Sequence, residues 1–579
     1  MIKKMTGGDI VSAILKNHGV QFLFTLCGGH ISPILVSCKK DGITVINVRD
    51  EKNAVFAADA SARLSGIPGV AAVTAGPGCT NTITAVKNAQ MAQSPVIILG
   101  GATATMLKGR GSLQDIDQMA LMKHHVKWAV SVKTVREISP VLNRAFKIAK
   151  DGVPGPVFVE LSVDLLYDEN LVRKWYNEMM GSGKSLGGKL LNLYAKRHLN
   201  NLFRNKDNSP FSSVDSNIPN HTSGDLNRTV NFIKCAERPV LVMGSQTMAL
   251  PHEADSIKSA VKKLGLPTYL AGMVRGLLGR ENKIQFRHKR GKALKEADLV
   301  IVCGFPFDFR LGYGRKINLN ATVVTINRSR KELRKNRKPA LAVHGDAGRF
   351  LQALADKSIG TDGKWSRWFE ILTKNEVDRE SEINRQAEAE NEHINPLKLL
   401  QYMEKVMDEK SIIVADGGDF VSTASYILKP RSPLSWLDPG VFGTLGVGGG
   451  FAMSAKLHNP ESEVWLIWGD GSAAFSLAEF DTFVRHKIPV IALVGTDASW
   501  AQIEREQTEI FGDDVGTTLR RTDYHIAAEG YGGKGFLLKK GDDIPAVLLQ
   551  AKETAKSGIP VLINAQIGKT DFRKGSISM

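Results

Sequence analysis

The sequence predicts an α/β protein built from three parallel-sheet domains. Short apolar runs alternate with amphipathic or Ala-rich helical stretches, the order of βαβ units. The runs are continuous rather than alternating, as in Val464-Trp465-Leu466-Ile467, so each is expected to be buried on both faces. The chain has 579 residues, too many for one hydrophobic core, and the alternation restarts near Arg238 and again near Asn395.

Composition narrows the function classes. Hydrophobic residues are 43% of the chain, ordinary for a soluble globular protein, and no run reaches the ~18 apolar residues of a spanning helix. The start, Met1-Ile2-Lys3-Lys4-Met5, is not that of a secretory signal. Five cysteines lie without metal or disulfide spacing, which suits a reducing compartment. The formal charge is +17, concentrated in residues 287–290 and 328–338. Neither run is interleaved with aromatics, so no nucleic-acid partner is expected. They read as solvated surface or as a site for an anionic tail such as a CoA phosphate.

The first domain is expected over residues 1–180. Thr6-Gly7-Gly8-Asp9 caps a helix to about Asn17. Strands follow at residues 20–26, 43–48, 70–74 and 96–99. The first runs into Cys27-Gly28-Gly29-His30, where paired glycines allow another group to approach. Glu51 lies between the second strand and an Ala-rich helix, where an acid suits the helix dipole. Gly109-Arg110-Gly111-Ser112-Leu113-Gln114 is a polar loop, and His124 and His125 read as surface or core histidines. Residues 152–161 form an edge of the domain.

Residues 181–228 read as a basic and polar insert. Gly181-Ser182-Gly183-Lys184-Ser185 shares part of a phosphate-loop pattern, but no strand precedes it, so it reads as linker. Residues 190–204 are amphipathic and basic, suited either to a membrane surface or to packing on the body. Residues 205–227 are Ser/Asn/Pro-rich and expected to be mobile. A middle α/β domain spans 229–365, with strands at 239–244, 299–304 and 322–326, and residues 366–394 form a linker. Asn327, at a strand end, is where a nucleotide ribose is often met.

The third domain spans 395–579. Strand 411–416 ends in Gly417-Gly418-Asp419-Phe420, and a Gly-rich segment, Gly443-Thr444-Leu445-Gly446, leads into a helix. Trp468-Gly469-Asp470-Gly471-Ser472 is a turn between a strand and a helix expected at 473–480, a place for backbone N–H groups to hold an anion. A carboxylate beside such a cradle suits a divalent cation. The next strand ends at Thr496-Asp497-Ala498-Ser499; neighbouring parallel strands would bring Asp470 and Asp497 to one sheet edge.

These motifs together resemble the thiamine-diphosphate (ThDP) enzyme superfamily, in its acetolactate synthase and 2-hydroxyacyl-CoA lyase branch. The resemblance covers essentially the whole chain. It implies pyrimidine-binding, middle and diphosphate-binding domains, with ThDP and Mg²⁺ as cofactors. Asp470, Asp497 and the Ser499 carbonyl would be the metal ligands; the usual Asn-Asn pair is Thr496-Asp497 here. Gly418, Asp419, Phe420, Gly471 and Ser472 would hold the diphosphate. Gly443 would bind the aminopyrimidine edge, and Leu445 would wedge between the rings in place of the usual Met. Glu51 would act on the aminopyrimidine and promote its imino tautomer. Gln114 would line the reaction chamber, Leu113 replacing a usual Phe, with Gly29 beside it among the catalytic residues. The middle domain would hold FAD or an adenine nucleotide in some members.

The implied reaction is cleavage of a 2-hydroxyacyl-CoA to formyl-CoA and an aldehyde shortened by one carbon, of the fatty-acid α-oxidation type. The alternatives are an acetolactate synthase-like carboligase acting on 2-ketoacids such as pyruvate, and a regulatory protein retaining the fold. The resemblance further implies a homodimer or homotetramer. It places the chain at the endoplasmic reticulum membrane, cytosolic face, with peripheral contact, or else in the cytoplasm.

Overall fold

The computed structural model describes residues 5–180, 186–204, 216–357 and 363–575. They divide into two compact units, residues 1–62 with 67–217 and residues 63–66 with 218–579.

The first unit carries one parallel sheet, with strands β1 (Phe22–Thr25), β2 (Thr44–Asn47), β3 (Gly69–Val73), β4 (Val96–Ala102), β5 (Trp128–Ser131) and β6 (Val157–Ser162) in the order β2-β1-β3-β4-β6-β5. Its central strands β3, β4 and β6 are wholly buried, which is why they read as unbroken apolar runs. The capping box on helix Gly7–Asn17 is present, with Thr6 and Asp9 each bonding the other's backbone N–H. β6 is not an edge: β5, a half-buried strand of four residues, lies outside it.

The second unit carries two sheets. One contains β7 (Pro239–Met243), β8 (Thr268–Leu270), β9 (Gln285–Phe286), β10 (Leu299–Cys303), β11 (Thr322–Asn327) and β12 (Leu341–His344), in the order β12-β11-β10-β7-β8-β9. The other contains β13 (Ile412–Ala415), β14 (Trp436–Leu437), β15 (Val464–Gly469), β16 (Ile491–Thr496), β17 (Lys534–Leu538) and β18 (Val561–Gln566), in the order β14-β13-β15-β16-β18-β17. This last order repeats that of the first unit strand for strand. In both sheets the order reverses between the first and third strands, and the crevice at such a switch point is where open α/β sheets bind ligands.

Several expectations are corrected. The stretch expected as a linker at 366–394 contains helix Ser366–Ala387, which buries Trp368, Leu372 and Ile383. Residues expected to be mobile up to 227 include the start of helix Ser223–Cys235, capped by Thr222 and Asp225. The basic run at 328–338 is not simply solvated. Arg328 is buried and paired with Asp346, and Arg337 donates to the carbonyls of Gly314, Ile317 and Asn318. The loop-like stretch at 181–185 lies outside the described residues.

Candidate functional site

The third sheet builds the denser constellation. β15 and β16 are neighbours, with Gly469 opposite Gly495, so Asp470 and Asp497 both lie just beyond the same sheet edge. Asp470 is buried. The Gly471 N–H donates to its Oδ1 and the Ala498 N–H to its Oδ2, both at 2.8 Å. Ala498 adopts a left-handed backbone (φ 61°) to present that N–H. Asp497 Oδ1 accepts from the Ser499 N–H at 3.1 Å. Neither carboxylate forms an ion pair among the described residues.

Burial pushes the Asp470 carboxyl up to about 6, against the two backbone donors. Burial, then the charge of Asp470, push Asp497 up to about 7. A buried carboxylate beside a half-buried one whose proton affinity it raises forms a donor set that a hard divalent cation satisfies. Each Asp470 oxygen spends one lone pair on an N–H and keeps another.

Around them the backbone comes close. Gly418 (φ 110°) takes a conformation that L side chains rarely adopt, on an exposed turn. A Cβ on Gly417 would lie 2.2 Å from Leu445 Cδ2, so Leu445 sits directly over the turn after β13. A Cβ on Gly471 would meet the Trp500 ring at 2.4 Å. Ser472 Oγ donates to the Gly417 carbonyl at 2.9 Å, tying the turns after β13 and β15 together at the switch point. Asp419 pairs with Arg505 at 2.8 Å, and a cavity of about 720 Å³ opens past Asp419, Phe420 and Asp497. Gly443 (φ 65°) is exposed.

The helix expected at 473–480 is absent as such. A single turn, Asp470–Ala473, is followed by a break and then by helix Glu479–Arg485. Backbone amides and glycine approach, rather than the dipole of a long helix, are therefore what this turn offers an anion.

Asp416 was not singled out from sequence. It is buried; its Oδ1 accepts from the Gly446 N–H at 2.9 Å, and its Oδ2 from the Gly448 N–H at 2.7 Å and Trp468 Nε1 at 3.1 Å. It thereby shapes the glycine segment that carries Leu445. Its place at the end of a strand, before two glycines, was the available signal.

In the first unit Glu51 opens helix Glu51–Ser65 and is buried. Asn81 Nδ2 donates to its Oε2 at 3.0 Å. Its Oε1 lies 3.6 Å from where a Cβ on Gly78 would stand. Gln114 is half-buried in a left-handed conformation (φ 63°), and its carbonyl would clash at 2.8 Å with a Cβ on Gly76. Gln118 pins this approach: its Oε1 accepts from the Gly76 N–H at 3.1 Å, and its Nε2 donates to the Gly101 carbonyl and to Glu160. Burial pushes Glu160 up, but hydrogen bonds from Lys108, Ser131 and Gln118 hold it below its ordinary value. Gly29 is exposed, and its carbonyl accepts from the Tyr167 hydroxyl at 3.2 Å. Leu113 is exposed, as is His124. Asn327, at the end of β11, spends its Oδ1 on Gln246 and on the Ser329 N–H, leaving that oxygen no clear role toward a ribose.

The raised carboxyls carry a sign. In the unfolded chain they titrate near about 4, so between there and neutrality the native state holds protons that the unfolded state has lost. The contribution of Asp470 and Asp497 to apoprotein stability therefore falls as pH rises from about 4 to about 7. A bound cation removes that penalty. The melting increment produced by Mg²⁺ with ThDP should be larger at pH 8 than at pH 5.5, measured by calorimetry; an equal increment would count against both carboxylates as ligands.

Comparison with known proteins gives three family matches in chain order. They are the thiamine pyrophosphate enzyme N-terminal TPP binding domain over residues 5–121, the central domain over 226–354 and the C-terminal TPP binding domain over 416–565. The chain is 50% identical to 2-hydroxyacyl-CoA lyase 2 of Danio rerio, covering 99% of this chain and 93% of the relative. It is 49% identical to the Homo sapiens protein of that name, covering 99% and 92%. It is 31% identical to a probable acetolactate synthase of Mycobacterium bovis, covering 97% and 95%.

Proposed function

The chain belongs to the thiamine pyrophosphate enzyme family, and from that premise we propose that it is a ThDP- and Mg²⁺-dependent lyase that cleaves 2-hydroxyacyl-CoA to formyl-CoA and an aldehyde one carbon shorter. ThDP, when bound, supplies the nucleophilic carbon and the electron sink for breaking the carbon–carbon bond. Asp470, Asp497 and the Ser499 carbonyl would hold Mg²⁺. The turns at Gly418–Phe420 and Gly471–Ser472 would receive the diphosphate, and Gly443 and Leu445 the rings. Glu51 has Oε2 occupied by Asn81, which leaves Oε1 to exchange a proton with the aminopyrimidine. Gln114, held in a strained conformation against Gly76, would orient the substrate oxygen.

One observation carries the substrate class. In the second unit, a cavity of about 450 Å³ is lined by Arg275, Arg287, Arg290, Arg310, Lys316 and Arg573, with Tyr269 and Tyr426 beside them. Burial lowers Arg275 to about 10; the nearby charges of Arg287 and Arg290 act in the same direction. Asp308 offsets Arg310, and Glu376 and Glu380 face Arg287, yet cations remain in excess. Such a chamber suits the phosphates of a CoA tail, whose binding energy can be used to place the acyl carbon. Pyruvate has no such tail. The same cavity could take the adenine nucleotide of FAD, and flavin absorbance in the purified protein would reassign it.

With ThDP and Mg²⁺, long-chain 2-hydroxyacyl-CoA should yield aldehyde and formyl-CoA, while pyruvate yields little acetolactate, both quantified by mass spectrometry. Arg290→Gln should raise KM for the CoA thioester about tenfold or more, from a lost charged hydrogen bond, and leave the pantetheine thioester unaffected. Efficient acetolactate formation without aldehyde would favour the second reading, a carboligase acting on 2-ketoacids, which the 31% identity to the acetolactate synthase supports. The active assembly is proposed as a homodimer or homotetramer of the 63.1 kDa chain; a monomeric mass of the active protein by light scattering would exclude it. No helix among the described residues is long and apolar enough to cross a membrane.

A further inference from the structure

Among the described residues, helix Leu186–Leu202 buries side chains only towards its C-terminal end and on one face. Ala195, Leu199 and Leu202 are buried, His198 Nε2 meets Thr105 Oγ1 at 2.7 Å, and Asn200 Oδ1 accepts from Arg173 at 3.1 Å. Those contacts belong to the C-terminal half. In the N-terminal half Leu186, Leu190, Leu193 and Tyr194 are 80%, 64%, 66% and 58% exposed. Their spacing puts them on one helical face. The preceding helix, Glu169–Met180, exposes Trp175 and Met179. Leucines standing in water at this spacing contribute nothing to the fold they are attached to.

Charge says what covers them. From residue 186 to residue 204 the chain carries Lys189, Lys196, Arg197 and Arg204 and no acidic residue. These four cations are exposed. A second copy of the chain meeting this face symmetrically would set like charges against one another with no carboxylate on the helix to relieve them. A bilayer surface containing anionic lipid offers what the face lacks: an apolar layer for leucine, headgroup-level positions for tryptophan and tyrosine, and phosphates for lysine and arginine.

We infer that the exposed N-terminal face of helix Leu186–Leu202 is a docking surface for anionic membrane, lying in the interface rather than crossing it. The proposal is independent of which substrate the enzyme takes. The full chain should co-sediment with phosphatidylserine–phosphatidylcholine vesicles, bind pure phosphatidylcholine far less, and release as salt is raised. Leu190→Glu with Leu193→Glu should weaken binding about tenfold or more. Lys189→Glu with Lys196→Glu should abolish the preference for phosphatidylserine. All four side chains are exposed, so the variants should melt like the parent. Failure of the parent chain to bind anionic vesicles, or undiminished binding by the folded leucine variant, would overturn the proposal. So would an oligomer that the leucine variant breaks while vesicle binding is absent, since the face would then be a contact between copies.

Discussion

Replacing Glu51 by Gln should lower turnover by about 10²- to 10⁴-fold, the range for a positioned proton-transfer group, while ThDP and Mg²⁺ still bind. The carboxyl is buried at the start of helix Glu51–Ser65, with one oxygen already engaged by Asn81. Gln has nearly the same shape, so it keeps the packing, but its amide cannot pass a proton to and from a ring nitrogen. A helix-capping acid with no further role would behave differently: Gln would cost only a few tenths of a kcal/mol of stability and leave the rate alone. Asn81→Ala gives a graded companion. It frees Oε2 and should slow turnover less than Glu51→Gln. Steady-state assays with calorimetric titration of ThDP separate the outcomes. A Glu51→Gln protein with a rate within threefold of the parent would remove Glu51 from the chemistry.

The strands were legible because parallel strands covered on both faces show as short unbroken apolar runs, and β3, β10 and β15 are of this kind. Asp470 and Asp497 could be brought together for the same reason: one helix and one strand between them imply adjacent parallel strands. What local sequence could not show was set by distant partners. Residues 473–480 have good helical composition, yet the helix breaks. There Ser476 Oγ accepts from the Gly449 N–H at 3.2 Å, and the Glu479 side chain packs on Gly449, where a Cβ would meet it at 2.9 Å. Arg328 sits in a run that reads as solvated, but Asp346, eighteen residues away, takes it into the interior. Asp416 was visible as a residue and not as a function, because its three donors come from residues 446, 448 and 468.

Asp470→Ala should reduce ThDP affinity by about a hundredfold or more at low Mg²⁺, the scale of losing a charged ligand that neutralises a diphosphate. The fold should tolerate it, because an unpaired buried carboxylate is a cost to the apoprotein; its carboxyl stands at about 6 for that reason. Two backbone N–H groups, of Gly471 and Ala498, would lose their acceptor, so the left-handed Ala498 turn should loosen. Asp497→Asn tests the other ligand by charge alone. It keeps an oxygen where the cation needs one and removes the carboxyl that burial, then the charge of Asp470, push up to about 7. The Asn variant should therefore bind Mg²⁺ and ThDP well, and its affinity should depend less on pH between about 6 and 8 than the parent's. In the parent, a proton on Asp497 must leave before the metal can bind, so affinity should rise with pH through that range. Calorimetric titrations at two pH values distinguish the cases. An Asp470→Ala protein that binds ThDP unchanged, or an Asp497→Asn protein that cannot bind it, would require the metal to be placed elsewhere on this sheet edge.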